Sequence, residues 1–529
     1  MFPRATAAAS RAVHATVLAF VLITVVSVAA ASTAAAVPGI GVIRLGESAS
    51  IGSSNLPKYA TVILAPHKYT FIPQIKSASP GTRVLVYKNP LSIVGCPNVH
   101  TCSAGVTLAQ ARAHDAAYPN DPWILRDATG KPVRHPGFSY FWLGNVGSAS
   151  YRQPWVANVA KTMRLGWDGV DVDDVLAQIS GWSKGVYPKL FPSDAAWERA
   201  MAGFMAYVGP QLKARGSYVL ASAYKYGRAD GSDTAAWWKK VGRYVSGLMR
   251  EYWVQNPNNL SQIYDTNPCC WTGNWNGWLR LADAAKSVGA HFFPLMSGSS
   301  TDTRTMMYGK ASFLLVWDGS GGGFIFNPTD AVDPWNQAWT TDIGTPRAPR
   351  YQVGVGWRRD YSAGVALVNP NAFSAQTFNL GGSYLTPSGA TVTSVTLRPV
   401  TAVVLRSASA AVKIARIYFD SPRSEHRSNS SLNAEWIRLR NIGSRAVSLR
   451  GWTIQDRSRN VFRFRTYRLR AGKTVTVHTG RGMNRAGHLH WGRRSYIWNN
   501  NGDTATLRRP SGTLVDRCRY GGAGRSVTC

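Results

Sequence analysis

Carboxylates are scarce in this sequence: 27 Asp and Glu stand against 60 Lys and Arg among 529 residues, a formal net charge of +33. Charged residues of either sign make up only 16%. The few acids that fall at the ends of apolar runs therefore carry most of the chemical information. The excess of base attracts acidic polysaccharide, cell-wall phosphate polymer, nucleic acid or an anionic membrane surface without selecting among them. Disorder cannot dominate, because 45% of residues are apolar. The length excludes one small module and allows two to four domains. The chain has no fixed-period repeat and no long low-complexity linker. Beyond its N-terminus it has no apolar run able to cross a bilayer.

At that N-terminus Arg4 and Arg11 precede an apolar run from Ala15 to Ala31, and small-residue stretches follow at Ala29–Ala31 and Ala34–Ala36. That order predicts a secretory signal peptide over residues 1–36, the alternative being an uncleaved membrane anchor. The protein is thus expected to be secreted or held at the cell surface, where disulfides persist. Cysteines number only six. Cys96 and Cys102 bracket one short loop and Cys518 and Cys529 bracket the C-terminal tail, which leaves the adjacent Cys269 and Cys270 to each other or to cross-pairing.

From Tyr59 to about Phe326, short β-branched or aromatic runs alternate with helical patterns, the signature of repeated βα units on a parallel sheet. Strands are predicted at Thr61–Ala65, Arg83–Lys88, Ser139–Leu143, Gly169–Val175, Tyr218–Ser222, Gly247–Trp253, His291–Leu295 and Gly323–Phe326. Eight strands suggest a (β/α)8 barrel over residues 37–346. After Pro346 the period changes to two, predicting a small antiparallel β-domain over 347–408. A second all-β segment, 411–529, holds 24 Lys and Arg against 6 Asp and Glu, a formal +18.

Gly166-Trp167-Asp168-Gly169-Val170-Asp171-Val172-Asp173-Asp174-Val175 interleaves valines with acids on one predicted strand. Alternation puts Asp171 and Asp173 on one face, about 6.6 Å apart, with Asp174 opposite as a candidate helix cap. Glu251 closes the apolar run Gly247-Leu248-Met249-Arg250 two strands later. Hydrolysis of a glycosidic bond needs one protonated and one ionised carboxyl group flanking the bond, which Asp173 and Glu251 could supply. Asp171 reads as support, or as an ion pair with Lys88 or Arg250. Tyr252, Trp253, Trp142, Trp271 and Trp275 lie at or beyond predicted strand ends, where aromatic faces suit pyranose rings, although most barrel tryptophans are packing. His67 could reach a sugar hydroxyl. His488 and His490 lack a third ligand nearby, and neither metal nor cofactor is expected.

These residues carry a resemblance. Trp123-Ile124-Leu125 with Asp127 and Gly130, Tyr151 with Trp155, the Gly166–Asp174 run, Gly247–Glu251 and Asp342-Ile343-Gly344-Thr345-Pro346 resemble bacterial glycoside-hydrolase-like TIM barrels related to the endo-α-galactosaminidase type. Arg358–Gly364 and Val368-Asn369-Pro370 extend the match. The resemblance implies an acid/base pair at the last Asp-bearing position of the fourth strand and the Glu ending the sixth, which are Asp173 and Glu251. Asp171 stands where an apolar or aromatic residue is more usual. The tail, through Ala434–Gly443, Val447–Ile454 and Trp498–Ala505, resembles a lamin-tail domain of immunoglobulin-like type, which implies an attachment module.

The sequence thus predicts an exported polysaccharide-cleaving glycoside hydrolase with a basic accessory domain. The alternative is a non-catalytic surface protein that binds glycan or polyanion. Arg463, Arg465, Arg468 and Arg470, close to Phe462, Phe464 and Tyr467, are the candidate tether to an acidic cell-surface polymer or nucleic acid.

Overall fold

A computed structural model of the chain describes residues 42–44, 53–267, 274–330, 332–335, 341, 343–408, 412–421, 427–442, 446–510, 512 and 514–529. The predicted signal peptide and the Cys269-Cys270 pair lie outside them, as does Trp271.

Eight parallel strands form the main sheet: β1 (Val42–Arg44), β2 (Thr61–Leu64), β3 (Arg83–Lys88), β4 (Gly169–Leu176), β5 (Tyr218–Tyr224), β6 (Gly247–Arg250), β7 (His291–Gly298) and β8 (Ile325–Pro328). They hydrogen-bond in chain order, and β1 pairs with both β2 and β8, so the sheet curls until its edges meet. The βα repeat around it is irregular. Between β1 and β2 the described residues hold only a 3-10 turn, Ser53–Lys58. Between β3 and β4 an insertion adds its own three-stranded sheet. What is established is a mixed α/β body around a curled parallel sheet.

The predicted strand at Ser139–Leu143 is the principal correction. Phe138–Leu143 lies antiparallel between Ser92–Ile93 and Arg134–His135 in that insertion, with its first half exposed to solvent. A strand of the main sheet would be buried on both faces, as β2 is. Its place in the count is taken by β1, three residues too short to read as a strand from pattern. The two errors cancel, so the Asp-rich strand is still the fourth and the Glu-bearing strand the sixth.

Alternation divides each strand between two cores. Ile63, Leu85, Leu220, Met249, Phe293, Leu295 and Ile325 pack together inside the curl. Val62, Val84, Val170, Val219 and Leu248 face outward into the larger core shared with the helices. Gly169 opens β4 because a Cβ there would run into the backbone of Tyr218. Helix Asp194–Lys213 starts at its cap Ser193, and buries Trp197, Met201, Phe204, Met205, Val208 and Leu212 on one face. A six-stranded antiparallel sheet follows, spanning Tyr351 to Ser407. It docks on helix Thr303–Val316, where Arg359 donates to the carbonyls of Leu314 and Trp317 and the Tyr361 hydroxyl donates to Leu314. The C-terminal segment is a β-sandwich with its own core, including Ile437, Leu439, Ile454, Val477 and Leu507.

Cys96 pairs with Cys102 and Cys518 with Cys529, as their spacing predicts. No helix among the described residues is long and apolar enough to cross a membrane. The two disulfides are consistent with an extracellular protein.

The first disulfide loop encloses a buried cation. Lys88 points outward from β3, fully buried, and donates to the carbonyls of Val99 at 2.8 Å and Cys102 at 2.6 Å. Burial pushes its ammonium down from 10.5 to about 7. Because the unfolded chain holds this proton up to its ordinary range, stability should rise with pH from about 7 toward 10.5. Thermal melts across that window should show the rise in the native chain and a flatter profile in Lys88→Met. Parallel profiles would remove Lys88 as the cause.

Candidate functional site

Four acids on or beside β4 occupy four environments. Asp168, just before the strand, accepts from the Val84 backbone N–H and the Lys76 ammonium, both at 2.6 Å, and so ties β4 to β3. Asp171 continues the inward column opposite Tyr87 and Leu220 and is fully buried. Asp173, the next inward position, is 8% exposed. After it the strand bulges: Val172 and Val175 of β4 match Ala221 and Ala223 of β5, so three steps oppose two.

Asp174 sits in that bulge at φ +50°. The left-handed region costs a residue with a Cβ about 1–2 kcal/mol, and here the carboxylate is held in return. It accepts from the Asn89 amide at 2.7 Å and the Tyr224 hydroxyl at 3.3 Å. The expectation that Asp174 caps a helix is therefore corrected. The short helix Ser180–Ser183 has no side-chain cap, and the next is capped by Ser193. The bulge re-aims Asp174 toward the C-terminal ends of β3 and β5.

Glu251 follows the last residue of β6 and is half-buried; Tyr252 after it takes φ +51°. Each candidate acid is thus followed at once by a non-glycine residue in the left-handed region, the kind of strain that concentrates at functional sites. Tyr224, ending β5, stands between the two strands. Burial first, then the charges of Asp174, Glu251 and Asp173, raise its pKa well above the ordinary 10. The phenol keeps its proton and serves Asp174 as a donor. Behind it the half-buried Arg250 guanidinium lies over the rings of Tyr224 at 5.2 Å and Trp278 at 4.8 Å. Burial lowers the Arg250 pKa, and Tyr224, Tyr226 and Glu251 partly restore it. Asp174 is therefore bonded to Tyr224, whose phenol also responds to the charges of Glu251 and Asp173, with Asp171 deeper in the curl. The pairing of Asp171 with Lys88 considered from sequence does not describe Lys88, whose ammonium is bound to two loop carbonyls on the other side of β3.

The aromatic expectations divide. Trp253 is fully buried, donates its indole N–H to the Trp278 carbonyl at 2.7 Å and packs edge-on against Phe292. Trp275 is likewise buried and donates to Ser312. Neither has a free face, so both are packing residues and Trp253 is withdrawn as a substrate contact. Trp142 belongs to the inserted sheet, half-buried, with the Arg134 guanidinium 4.7 Å from its ring. His67 is exposed in the turn after β2, and Tyr252 is half-buried beside Glu251.

Sequence reading missed the exposed rings. Tyr226, two residues beyond Tyr224, is 50% exposed, and Phe138 and Tyr140 on the inserted hairpin are 48% and 54% exposed. That hairpin leans on the loop after β4 through His135 and Trp182, 4.9 Å apart. The one signal was the aromatic run Phe138-Ser139-Tyr140-Phe141-Trp142, which reads equally well as a buried strand. In the C-terminal sandwich Phe464 is buried, and Phe462 and Tyr467 pack on the core. The aromatics beside Arg463, Arg465 and Arg468 are therefore not ligand platforms. Among the described residues no group of three or more His, Cys, Asp or Glu is arranged to hold a metal ion.

A family model described as hypothetical glycosyl hydrolase family 15 matches residues 76–365, just over half of the chain. A lamin tail domain model matches residues 405–522. No curated protein matches the chain. Among solved structures, the glycoside hydrolase domain of PelA from Pseudomonas aeruginosa aligns at 13% identity and TM-score 0.33, over 55% of this chain and 95% of that one. Amy13B of Eubacterium rectale aligns at 9% identity and TM-score 0.46, over 70% and 97%. An alpha-glucosyl transfer enzyme, XgtA, aligns at 10% identity and TM-score 0.41, over 70% and 99%.

The strain at the bulge is measurable. Asp174→Gly and Asp174→Ala both remove the carboxylate, but only alanine keeps a Cβ at positive φ. The glycine variant should be the more stable by about 1 kcal/mol in denaturant unfolding. Equal midpoints would mean that the backbone relaxes once the hydrogen bonds are gone.

Proposed function

The chain belongs to hypothetical glycosyl hydrolase family 15, and from that premise we propose that it is an exported glycoside hydrolase that cleaves a polysaccharide with Asp173 and Glu251 as its carboxylate pair. One observation carries the proposal: the two acids stand toward the C-terminal ends of the fourth and sixth strands on either side of β5, where Val172 pairs with Ala221 and Met249 with Ser222. Each acid precedes a left-handed residue, so each is set by backbone geometry rather than by a flexible loop. Above the apolar cluster inside the curl lie the C-terminal strand ends, where barrel enzymes keep their chemistry and where a (β/α)8 reading puts these acids.

In this reading one of the pair protonates the leaving oxygen. The other acts on the opposite side of the bond, as nucleophile or through a water molecule. Asp174, with its two donors, stays ionised and fixes the β4 end of the site, while Tyr224 fixes Asp174. Exposed Tyr226, Phe138, Tyr140 and His67 offer contacts for sugar rings and hydroxyls. A signal peptide over residues 1–36 delivers the enzyme to the outside, and the lamin tail domain attaches it there.

The low exposure of Asp173 favours a second reading, a barrel that holds glycan without cutting it. Reducing-end release from a panel of bacterial and fungal polysaccharides separates the two. Asp173→Asn and Glu251→Gln should each lower turnover on any cleaved polymer by about a thousandfold or more while leaving the melting temperature within a few degrees. Native turnover in either variant would end that assignment, and binding without release by the native chain would favour the second reading.

A further inference from the structure

One face of the C-terminal sandwich is a flat, basic, acid-free surface that the lamin-tail match does not explain. Its sheet runs β12-β11-β10-β9-β13, with β9 at Val412–Tyr418, β10 at Trp436–Asn441, β11 at Thr474–His478, β12 at His488–His490 and β13 at Ser526–Thr528. Ile414, Ile417, Ile437, Leu439, Val477 and Leu489 point from these strands into the core, so the alternating residues form the outer face.

Register arranges that face in rows. Tyr418, Trp436, His478 and His490 stand opposite one another across four strands. Arg416, Arg438, Thr476 and His488 form the next row, and Lys413, Arg440 and Thr474 the third. At the edge, β13 contributes Ser526 and Thr528. No Asp or Glu occupies any of these positions.

The cations are held in place. The Arg438 guanidinium lies 4.6 Å from the Trp436 ring and donates its Nε–H to the Thr476 hydroxyl at 3.1 Å. Arg416 donates to the Ser526 hydroxyl at 2.8 Å, while Arg440 and Lys413 project into solvent. A stacked guanidinium whose terminal nitrogens remain free loses little entropy when it grips an acid group.

The rings serve one another rather than a ligand. Tyr418 stacks on Trp436 at 5.5 Å, and His478 on His490 at 5.2 Å and His488 at 5.3 Å. A single-stranded nucleic acid would need open ring faces for its bases. A strand whose recognition elements are regularly spaced acid groups needs only the rows of cations.

We propose that this face, centred on Arg416, Arg438 and Arg440, binds an acidic polysaccharide strand. The complementary charge argues for an anionic partner, the occupied ring faces argue against bases, and the choice of a glycan rests on the glycosidase reading above. The proposal puts the tether on a different surface from the Arg463–Arg470 stretch expected from sequence.

The test uses the full chain and polygalacturonate as probe, with retention measured by affinity electrophoresis at several salt concentrations. The triple variant Lys413→Ser, Arg416→Ser, Arg440→Ser should lose about tenfold in affinity and flatten the salt dependence by about one unit of slope per lost contact. The triple variant Arg463→Ser, Arg465→Ser, Arg470→Ser removes the same formal charge from other strands and loops and should keep most of the binding. Equal loss in both variants would reduce the effect to net charge and overturn the site. Tighter capture of single-stranded or duplex DNA than of polygalacturonate would overturn the glycan. Unchanged melting temperatures show that the sandwich is intact. Glu251→Gln should be retained like the native chain, so failure of the hydrolase reading leaves this result standing.

Discussion

The apolar plug inside the curled sheet is the constraint on which the rest depends. Ile63, Leu85, Leu220, Met249, Phe293, Leu295 and Ile325 pack together in the interior from six strands. Polar residues that continue the inward columns stand at both ends of the plug, Arg83, Tyr218 and His291 at the N-terminal ends of their strands and Asp173 toward the C-terminal rim. Asp171 lies at the boundary, Asp173 one step higher, and Tyr224 and Glu251 at comparable ends of their own strands. Burial is the first cause that holds the proton on Tyr224, and the carboxylates of Asp174, Glu251 and Asp173 add to it.

Charge economy follows from it. A chain with 27 acids and 60 bases offers any carboxylate a surplus of cations, yet Asp174 accepts from two neutral donors. Asn89 and Tyr224 serve Asp174, and Arg250 is stacked between aromatics. Asp168, by contrast, is committed to structure by its salt bridge to Lys76. The C-terminal sandwich inverts the scheme. Its outer sheet face excludes acids, and its cations are steadied by rings and hydroxyls.

The misread positions share a cause. Phe138–Leu143 and β1 were exchanged because a run of apolar and aromatic residues reports burial, not which sheet does the burying. Trp253 and Trp275 follow strand ends in sequence, but their indoles turn back to carbonyl and hydroxyl acceptors in the packing layer. Phe462, Phe464 and Tyr467 were grouped with arginines by proximity in the chain, yet alternation sends the rings inward while Arg463 and Arg465 stay out. Asp174 was misplaced because simple alternation cannot foresee a bulge.

By itself the sequence determined the order of parallel strands from β4 onward, the antiparallel segments after Pro346, the two short-range disulfides, and the two acids worth naming. These follow from local periodicity and from spacing along the chain, which survive folding. Tertiary structure alone decided that Asn89 and Tyr224 meet at Asp174, that Lys88 is enclosed by a disulfide loop, and that Arg416, Arg438 and Arg440 share one face. Those neighbours come from strands whose register is set by pairing and closure, and no local pattern in the chain encodes which side chains pairing will bring together.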